Sequence, residues 1–354
     1  MKIIQIMPEF GSAGAEIMCE NLCYELKKAG NEVVVVSLFT QHTDITKRLE
    51  NAKIEIIYLD KKKGFDWKIV FKLRKVIKKE KPDVIHTHRY ILPYVFFATI
   101  GTKVKIVHTV HNVAQKECGS SLRKINNFIY RIGNVTPVAL SQIVKDSISK
   151  EYKIDGSKIP VILNGINLKK CVPKESYEIH TPIKILHVGR FAKQKNHVGL
   201  IDAFELFHSE YSESLLYLIG DGPEYERIQR IVIQKKIQSS VIFVGLTDKV
   251  LQYMHKSDLF VLSSLYEGIP MTIIEAMGTG LPIVSTNVGG VPDMIVDKKD
   301  GLLVDMSSQS IANALKLLVS DEELRKNVGR NALMRSSEFS SEVMAQKYLQ
   351  IYKS

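Results

Sequence analysis

Short apolar runs alternate with helical patterns along the whole chain, and this alternation strongly limits the folds that it can adopt. Most of the runs are continuously apolar, which is typical of strands that helices cover on both faces. The expected strands are Ile3–Met7, Val33–Leu38, Ile54–Tyr58, Asp83–His86, Val104–Val110, Val135–Leu140, Ile183–Val188, Leu215–Ile219, Val241–Val244, Leu259–Leu262 and Pro282–Ser285. Helices between successive strands predict an α/β fold with doubly wound parallel sheets.

The strands form two series, separated by a segment without a clear period. This segment, Asn164–Thr181, begins with the turn-forming pair Asn164-Gly165. Because 354 residues are also many for one core, we predict two α/β domains, residues 1–170 and 180–335. The tail, Ser310–Ser354, has the pattern of three helices. We expect the last one, within residues 336–354, to cross back to the first domain.

Composition excludes several classes of protein. Hydrophobic residues make up 45% and charged residues 25%, which excludes a disordered, collagen-like or coiled-coil chain. No apolar run is long enough for a membrane-spanning helix. The segment after Met1 is too short for a signal sequence, and the four cysteines form no C-x-x-C pair. We therefore expect a reducing, cytoplasmic location.

The charge of the chain is concentrated in its first half. The net charge is +11, and residues 1–180 carry 30 Lys and Arg against 18 Asp and Glu. A basic surface of this kind can serve nucleic acid, anionic lipid or a phosphorylated ligand. These three possibilities need separate evidence.

A loop of small residues lies between the first strand and the first helix, and residues 11–16 read GSAGAE. Small side chains let backbone N–H groups approach a ligand closely, and the helix start behind them favours an anion. The G-x-G-x-x-G spacing is missing, and no acidic residue ends the second strand, so a dinucleotide site is disfavoured. A tight turn without a ligand is the alternative.

Two cations follow the strand Ile183–Val188. Arg190 and Lys195 come at the C-terminal end of a parallel strand, where open α/β sheets bind ligands. A planar guanidinium and an ammonium both suit phosphate oxygens. The alternative is a solvated loop with scattered cations.

The most informative segment covers residues 263–282. The strand before it ends at Leu262, Glu267 lies in the following loop, Pro270 begins a helix, and Glu275 lies on that helix. A loop carboxylate beside free helix N–H groups can bind hydroxyls next to a phosphate. A carboxylate farther along the helix can bind a vicinal diol. A surface helix with two unrelated glutamates is the alternative.

Together these segments resemble the retaining glycosyltransferases of family 4, which have the GT-B architecture. The matching segments, in order, are the loop at Gly11, Pro82–His88, His108–Asn112, Val161–Ile166, Val188–Arg190 with Lys195-Asn196, Gly220–Pro223, the E-x7-E segment Glu267–Glu275 and Val288–Asp293. They extend from residue 1 to about residue 335. The chain departs from the family at Asn167, where Asp is frequent, and in the sequence of its Gly11–Gly14 loop. The resemblance implies two Rossmann-like domains facing across a cleft.

The resemblance also implies the ligands. It indicates a nucleotide-diphosphate sugar donor, commonly a UDP sugar, and a glycan or lipid-linked acceptor, with no cofactor and no metal. A hexose or N-acetylhexosamine would be transferred in the synthesis of a surface polysaccharide or glycoconjugate. Arg190 and Lys195 would contact the diphosphate, Glu267 would face the donor sugar hydroxyls, and His111 would lie near the transferred sugar. The implied donor-binding residues are Gly11, Gly14, Gly189, Gly245, Leu246, Gly268, Ile269, Pro270, Met271, Thr272 and Glu275.

The family retains anomeric configuration, and the expected positions of the glutamates favour one route to that outcome. Because both glutamates are expected on the donor, not flanking the reacting carbon, we expect front-face displacement without a covalent intermediate. The leaving phosphate would take the acceptor proton, while Arg190, Lys195 and the helix start at Pro270 stabilise its charge.

Four histidines raise the question of a metal. The chain has no D-x-D motif, so we expect no metal-bridged diphosphate. His86, His88, His108 and His111 nevertheless leave three alternatives open: a metal site, a structural role, or a substrate-side role for His111.

A basic amphipathic helix is expected over Asp66–Lys81. Lys68, Lys72, Lys75 and Lys79 share one face, Lys61–Lys63 precede the helix, and Trp67 lies at its start. The helix is either solvated and packed on the sheet, or it rests on an anionic membrane with about 1 kcal/mol per close cation. The second alternative would place the enzyme peripherally on the inner face of the cell membrane.

Three other functional classes remain. A GT-B fold also serves sugar-nucleotide epimerases and phosphorylases. An NAD-dependent enzyme is disfavoured by the spacing of the first glycine loop. A nucleic-acid binder would need a recognisable module or aromatic residues among the basic run, and neither occurs, so we expect no nucleic-acid partner.

Residues 116–131 are expected to form acceptor-side loops.

Overall fold

In the computed structural model, which describes residues 1–11 and 14–354, the chain divides into two α/β units. The first contains Met1–Gly165 and Ser341–Ser354, and the second contains Ile166–Ser340. Over the described residues, each unit is built on one six-stranded sheet in which all neighbouring strands are parallel. The predicted α/β class with doubly wound parallel sheets is therefore confirmed.

The sheet of the first unit has the strand order β3-β2-β1-β4-β5-β6. Its strands are β1 Lys2–Met7, β2 Glu32–Ser37, β3 Glu55–Tyr58, β4 Val84–His88, β5 Lys105–Val110 and β6 Val135–Ala139. Its helices are α1 Gly14–Lys28, α2 Asp44–Asn51, α3 Lys68–Glu80, α4 Leu92–Thr99, α5 Ala114–Glu117, α6 Ser120–Ile132 and α7 Gln142–Tyr152, together with the C-terminal helix α15 Ser341–Lys353.

The sheet of the second unit has the strand order β12-β11-β10-β7-β8-β9. Its strands are β7 Ile183–Val188, β8 Ser214–Ile219, β9 Val241–Gly245, β10 Leu259–Leu262, β11 Ile283–Thr286 and β12 Leu302–Val304. Its helices are α8 His197–His208, α9 Tyr225–Gln234, α10 Val250–Lys256, α11 Met271–Gly278, α12 Val291–Met294, α13 Ser308–Ser320 and α14 Glu322–Ser336.

The central strands are apolar because helices cover them on both faces. The five residues Val33–Ser37 of β2 and all of β10 are buried. Helix α1 ends as its sequence predicts, since Gly30 adopts a left-handed conformation with φ +79° and its N–H donates to Lys27 O at 2.9 Å.

The carboxyl ends of β7, β8 and β9 meet closely at one edge of the second sheet. The Gly189 N–H donates to Ile219 O at 2.9 Å, and the Gly220 N–H donates to Gly245 O at 3.0 Å. A Cβ on Gly220 would lie 2.1 Å from Gly189 O, so this crossing requires glycine. Backbone from three successive strands therefore lies at the edge where a ligand is expected.

The C-terminal helix α15 belongs to the first unit, where it packs against α1. Tyr348 and Tyr352 are buried against the sheet. Ser341 Oγ, at the start of α15, donates to Glu25 Oε1 at 3.1 Å. The chain therefore ends inside the unit in which it begins.

Two parts of the fold differ from the sequence prediction. Strand β12 was not expected, because three residues are too few to show a period. The expected loop over residues 116–131 is wrong, since α5 and α6 occupy most of it. Ile125, Ile129 and Ile132 recur at helical spacing there, and this weak period signals α6. Among the described residues, no helix is both long enough and apolar enough to cross a membrane.

Candidate functional site

Two loops of the second unit pack together because β7 and β10 are neighbours in the sheet. The Leu265 N–H donates to Gln194 O at 2.8 Å, and Gln194 Nε2 donates to Tyr266 O at 2.9 Å. Ser263 Oγ donates to Lys195 O at 3.0 Å. The loop carrying the predicted cations is therefore fixed to the loop carrying the first glutamate of the E-x7-E segment.

Lys195 and Glu267 form an ion pair within these loops. Lys195 Nζ lies 2.5 Å from Glu267 Oε1, and the two side chains are 17% and 7% exposed. Ser264 Oγ donates to the same carboxylate oxygen at 2.5 Å. Two predicted catalytic residues are thus brought together, and in this state each largely satisfies the other.

Arg190 offers a free cation in the same loop as Lys195. Its side chain is exposed and makes no hydrogen bond or ion pair with any described residue. Gly189, just before it, makes room for the lysine, since a Cβ there would lie 3.3 Å from Lys195 Cδ. An anion at this edge would meet one unpaired guanidinium and one ammonium shared with a carboxylate.

Two glycines, Gly289 and Gly290, pack against the backbone of the Glu267 loop. The Gly290 N–H lies 3.3 Å from Glu267 O and 3.1 Å from Gly268 O. Gly289 has φ +57°, and a Cβ there would lie 1.8 Å from Glu267 O. Any other residue at position 289 would displace the loop. The sequence singles out this segment, but it gives no sign that the glycines hold Glu267.

The start of α11 can receive an anion. Pro270 is the extended N-cap residue, and Ile269 and Pro270 are buried. Thr272 Oγ1 is buried and has no hydrogen-bond partner among the described residues. A hydroxyl without a partner, next to the first N–H groups of a helix, suits phosphate oxygens. Gly268, Ile269, Pro270, Met271 and Thr272 therefore line one helix start.

Glu275 lies one turn further along α11. Its carboxylate makes no hydrogen bond or ion pair with a described residue, and burial raises its pKa to about 7. Its charge also contributes, after burial, to the raised pKa of the Cys171 thiol. A carboxyl group kept without partners can accept hydrogen bonds from ligand hydroxyls.

The remaining predicted residues of the second unit lie farther along the sheet edge. Gly245 ends β9 with φ +77°, and Leu246 is 79% exposed. Among the described residues, no hydrogen bond or ion pair joins either one to the side chain of Glu267 or Glu275. At the domain join, Asn167 Oδ1 accepts the Lys169 N–H at 3.1 Å, so the side chain that departs from the family pattern caps a short turn.

In the first unit, the predicted glycine loop borders a cavity. Gly11 lines a cavity of about 510 Å³ together with Gln41, His42, Thr43 and Arg48, among others. Gly14 begins α1. Ser12 and Ala13 lie outside the described residues, so the backbone between the two glycines has no structural account.

Arg89 is a residue that sequence reasoning missed. It follows β4 with φ +60°, a conformation that non-glycine residues rarely adopt without a functional or packing reason. Its Nη1 donates to Glu16 Oε1 at 2.9 Å, while Glu16 Oε2 is buried without a partner in the described residues. The positive charge of Arg89 also contributes to the lowered pKa of His111. No motif in the sequence marks this arginine.

His111 lies just after β5 and is partly exposed. Its Nε2 lies 3.0 Å from His88 Nδ1, and its backbone N–H donates to Glu117 Oε1 at 3.2 Å. Burial lowers the pKa of His111 to about 3, so its imidazole is neutral near pH 7. The same cause raises the pKa of Glu117 to about 7.

Two more histidines of the predicted set, His86 and His108, are engaged in hydrogen bonds. His86 Nε2 lies 2.7 Å from Thr109 Oγ1, and His108 Nδ1 lies 2.9 Å from Thr87 Oγ1. Across residues 1–11 and 14–354, no group of three or more His, Cys, Asp or Glu is arranged to hold a metal ion. Each of these two imidazoles is therefore held by a threonine hydroxyl.

Three exposed aromatic residues lie just before the basic helix α3 and in its first turn. Phe65, Trp67 and Phe71, which we call the aromatic patch, are 57%, 55% and 68% exposed. Lys68 and Lys75 lie within one turn of Phe71 and are exposed. Lys61 is different, because it is buried and its Nζ donates to the carbonyls of Lys62 and Gly64. The prediction that Lys61 belongs to the basic surface is therefore wrong.

Two protein-family models match the chain, one in each half. Residues 12–170 match the model described as Glycosyltransferase Family 4, and residues 172–335 match Glycosyl transferases group 1. The N-acetyl-alpha-D-glucosaminyl L-malate synthase of Bacillus anthracis is 31% identical over 304 residues, covering 81% of this chain and 79% of the relative.

Two further comparisons concern a second relative and a solved structure. The UDP-Gal:alpha-D-GlcNAc-diphosphoundecaprenol alpha-1,3-galactosyltransferase of Escherichia coli is 29% identical and covers 73% of this chain and 72% of its own length. The crystal structure of Anabaena HepE in complex with UDP superposes with a TM-score of 0.88 over the full length of both chains, at 19% identity. At this identity, the similarity to Anabaena HepE shows the fold alone.

Proposed function

Because this chain belongs to the group 1 glycosyltransferases of family 4, we propose that it transfers a hexose or N-acetylhexosamine from a UDP sugar with retention of configuration. The acceptor is a glycan or a lipid-linked glycan in polysaccharide or glycoconjugate biosynthesis. The observation that carries the proposal is the arrangement in the second unit. A free guanidinium, a lysine–glutamate pair, an open helix start and an unpartnered carboxyl follow one another there.

The identity of the donor is supported by two neighbours. The Escherichia coli relative uses UDP-galactose according to its name, and the Anabaena structure contains UDP. In this chain, the unpartnered carboxyl of Glu275 suits the vicinal hydroxyls of a ribose. Arg190 and the start of α11 suit the diphosphate.

The proposed chemistry is a front-face displacement. The bond between the anomeric carbon and the phosphate oxygen breaks, and the leaving phosphate takes the acceptor proton as the new glycosidic bond forms on the same face. Lys195 and Arg190, with the helix start at Pro270, stabilise the charge that develops on the leaving diphosphate. We propose that these cations act without a metal ion. Glu267 then exchanges its hydrogen bonds to Lys195 and Ser264 for hydroxyls of the donor sugar.

A nucleotide panel with product analysis tests this proposal. We expect UDP at about 100 times its Kd to stabilise the protein by about 2.7 kcal/mol, which is measurable as a raised Tm. ADP and GDP are the matched controls and should give smaller shifts. NMR of the product from an α-linked donor should show an α-glycoside, and EDTA should leave the rate unchanged.

Other products would contradict the proposal. An altered sugar nucleotide without glycoside indicates an epimerase, and a sugar phosphate indicates a phosphorylase. A β-glycoside from an α-donor contradicts retention, and loss of the rate in EDTA contradicts metal independence.

We also propose that the aromatic patch rests on an anionic membrane, beside the basic face of α3. Exposed aromatic rings next to lysines are typical of surfaces that insert into the headgroup region, and each close cation adds about 1 kcal/mol. A lipid-linked acceptor lies in such a membrane. The three rings and the neighbouring lysines belong to the same segment of the first unit.

Vesicle flotation tests the membrane contact. The protein should float with vesicles containing anionic lipid at low salt and be released at high salt. Replacing Phe65, Trp67 and Phe71 by serine should weaken binding roughly 100-fold, at about 1 kcal/mol for each partly buried ring. The control is Ile233→Ser, which removes a side chain that is 61% exposed in the second unit. Equal flotation of the triple variant and the control would remove the proposed contact.

A further inference from the structure

A chain of buried hydrogen bonds runs through the first unit to His111. His111 Nε2 lies 3.0 Å from His88 Nδ1, and His88 Nε2 lies 3.0 Å from Gln5 Oε1. The Gln5 amide nitrogen lies 3.2 Å from the hydroxyl oxygen of Tyr352 in α15. Gln5 and His88 are fully buried and Tyr352 is 4% exposed, so bulk water does not compete for these bonds.

The series of hydrogen bonds continues from the Tyr352 hydroxyl to a second histidine. Tyr352 Oη lies 2.7 Å from His86 Nδ1, and His86 Nε2 lies 2.7 Å from Thr109 Oγ1. Thr109 Oγ1 lies 2.8 Å from Tyr348 Oη. The C-terminal helix therefore supplies two hydroxyls to a network that links β1, β4 and β5.

The imidazole rings of this network are neutral near pH 7. Burial lowers the pKa of His86 and His88 well below the usual range, as it does for His111. A neutral imidazole carries one N–H, so one ring nitrogen donates and the other accepts. Fixing the direction of the hydrogen bond at Gln5 therefore fixes the tautomers of His88 and His111, which are linked to it through ring nitrogens alone.

The Gln5 amide sets that direction. Its nitrogen faces Tyr352 and its oxygen faces His88, so His88 Nε2 has to donate. His88 Nδ1 then has to accept, and His111 Nε2 has to donate to it. His111 is left with an unprotonated Nδ1, which has no hydrogen-bond partner among the described residues. The opposite amide orientation would reverse the bonds made by His88 and protonate His111 Nδ1.

We infer that Gln5 and Tyr352 are positioning residues that hold His111 in its Nε2-protonated tautomer, with Nδ1 available to accept a hydrogen bond from a substrate hydroxyl. The inference rests on the proposed function, in which His111 lies near the transferred sugar. Which ring nitrogen of a histidine is free depends on the hydrogen bond that the other one makes. The last helix of the chain thereby acts on His111 through two intervening side chains.

NMR of the full chain, with histidine labelled by ¹⁵N, tests the tautomer directly. In the wild type we expect one form of His111, with a protonated Nε2 and an unprotonated Nδ1. Gln5→Leu removes the amide, so both tautomers should appear. Gln5→Glu keeps a carboxyl oxygen that can accept from His88 Nε2, so it should restore the single form.

Tyr352→Phe is the second variant, and it changes α15 instead of β1. It frees the Gln5 amide to turn, so both tautomers should again appear. Tyr130→Phe is the control, because it also removes a buried phenol hydroxyl, one that has no hydrogen-bond partner in the described residues. It should leave the tautomer of His111 unchanged.

Turnover provides an independent readout. We expect kcat to fall with the fraction of His111 in the wrong tautomer, about twofold for equal populations, at unchanged donor affinity. The inference is overturned by an Nδ1-protonated wild type, or by a single Nε2-protonated form in both Gln5→Leu and Tyr352→Phe. If the tautomers shift as expected but kcat stays constant, the proposed role of His111 in the reaction is wrong. This outcome distinguishes a failure of the proposed function from a failure of the tautomer inference.

Discussion

Replacing Lys195 by alanine is expected to lower kcat roughly 100- to 1,000-fold, the usual loss when one donor to a developing negative charge is removed. The affinity for UDP should change much less, because the proposed contacts of Arg190 and the start of α11 with the ground-state diphosphate would remain. Single-turnover kinetics measure the chemical step, and calorimetry measures UDP binding. Lys193→Ala is the matched control, since Lys193 is exposed in the same loop and should leave both quantities near the wild-type values.

The ion pair complicates this variant, and a second substitution resolves the complication. Removing Lys195 leaves the Glu267 carboxylate, 7% exposed, without its cation, so part of any loss could come from a destabilised loop. Adding Glu267→Gln removes that charge. The double variant should regain thermal stability and remain slow. If the double variant regains turnover as well, Lys195 serves only to neutralise Glu267, and its assigned role is wrong.

The order of strands and helices follows from the sequence because it depends on local patterns. The run of valines in β2 and the period of α11 predict those elements within one or two residues. The adjacency of the Arg190 and Glu267 loops also follows, since both come at the carboxyl ends of strands in one parallel sheet. The family motifs add a prediction of the residues that a donor would contact.

What the sequence does not reveal depends on packing between distant segments. The pairing of Lys195 with Glu267 requires that two loops 72 residues apart meet within hydrogen-bond distance. The left-handed Arg89 has no local signal, since favoured left-handed residues are Gly, Asn and Asp. The contact of Gln5 with Tyr352 joins residues 347 positions apart, and the apolar pattern of α15 gives no reason to expect a polar partner in the core.

Replacing Glu275 by glutamine is expected to stabilise the protein at neutral and alkaline pH while it weakens UDP binding. The folded state holds the proton of Glu275 up to a pKa of about 7, whereas an ordinary glutamate loses it near 4.5. Between these two values the folded state binds more protons than the unfolded state, so the free energy of unfolding of the wild type falls as the pH rises through this window. Above pH 7 the accumulated cost is at most about 3 kcal/mol.

The amide of the Glu275→Gln variant does not ionise, so the variant should exceed the wild type in stability by up to this amount at pH 8 and match it near pH 4.5. Denaturant unfolding at several pH values measures the difference. UDP affinity should fall by at least roughly tenfold, because a hydrogen bond to a charged group contributes about 1.5–3 kcal/mol. Glu226→Gln, on the exposed face of α9, is the control for removing one charge.

A stability difference independent of pH contradicts an ionising, unpartnered Glu275, and unchanged UDP affinity contradicts its contact with the ribose. A gain in stability together with a loss of affinity would mean that the fold keeps an unfavourable buried carboxyl because the ligand requires it.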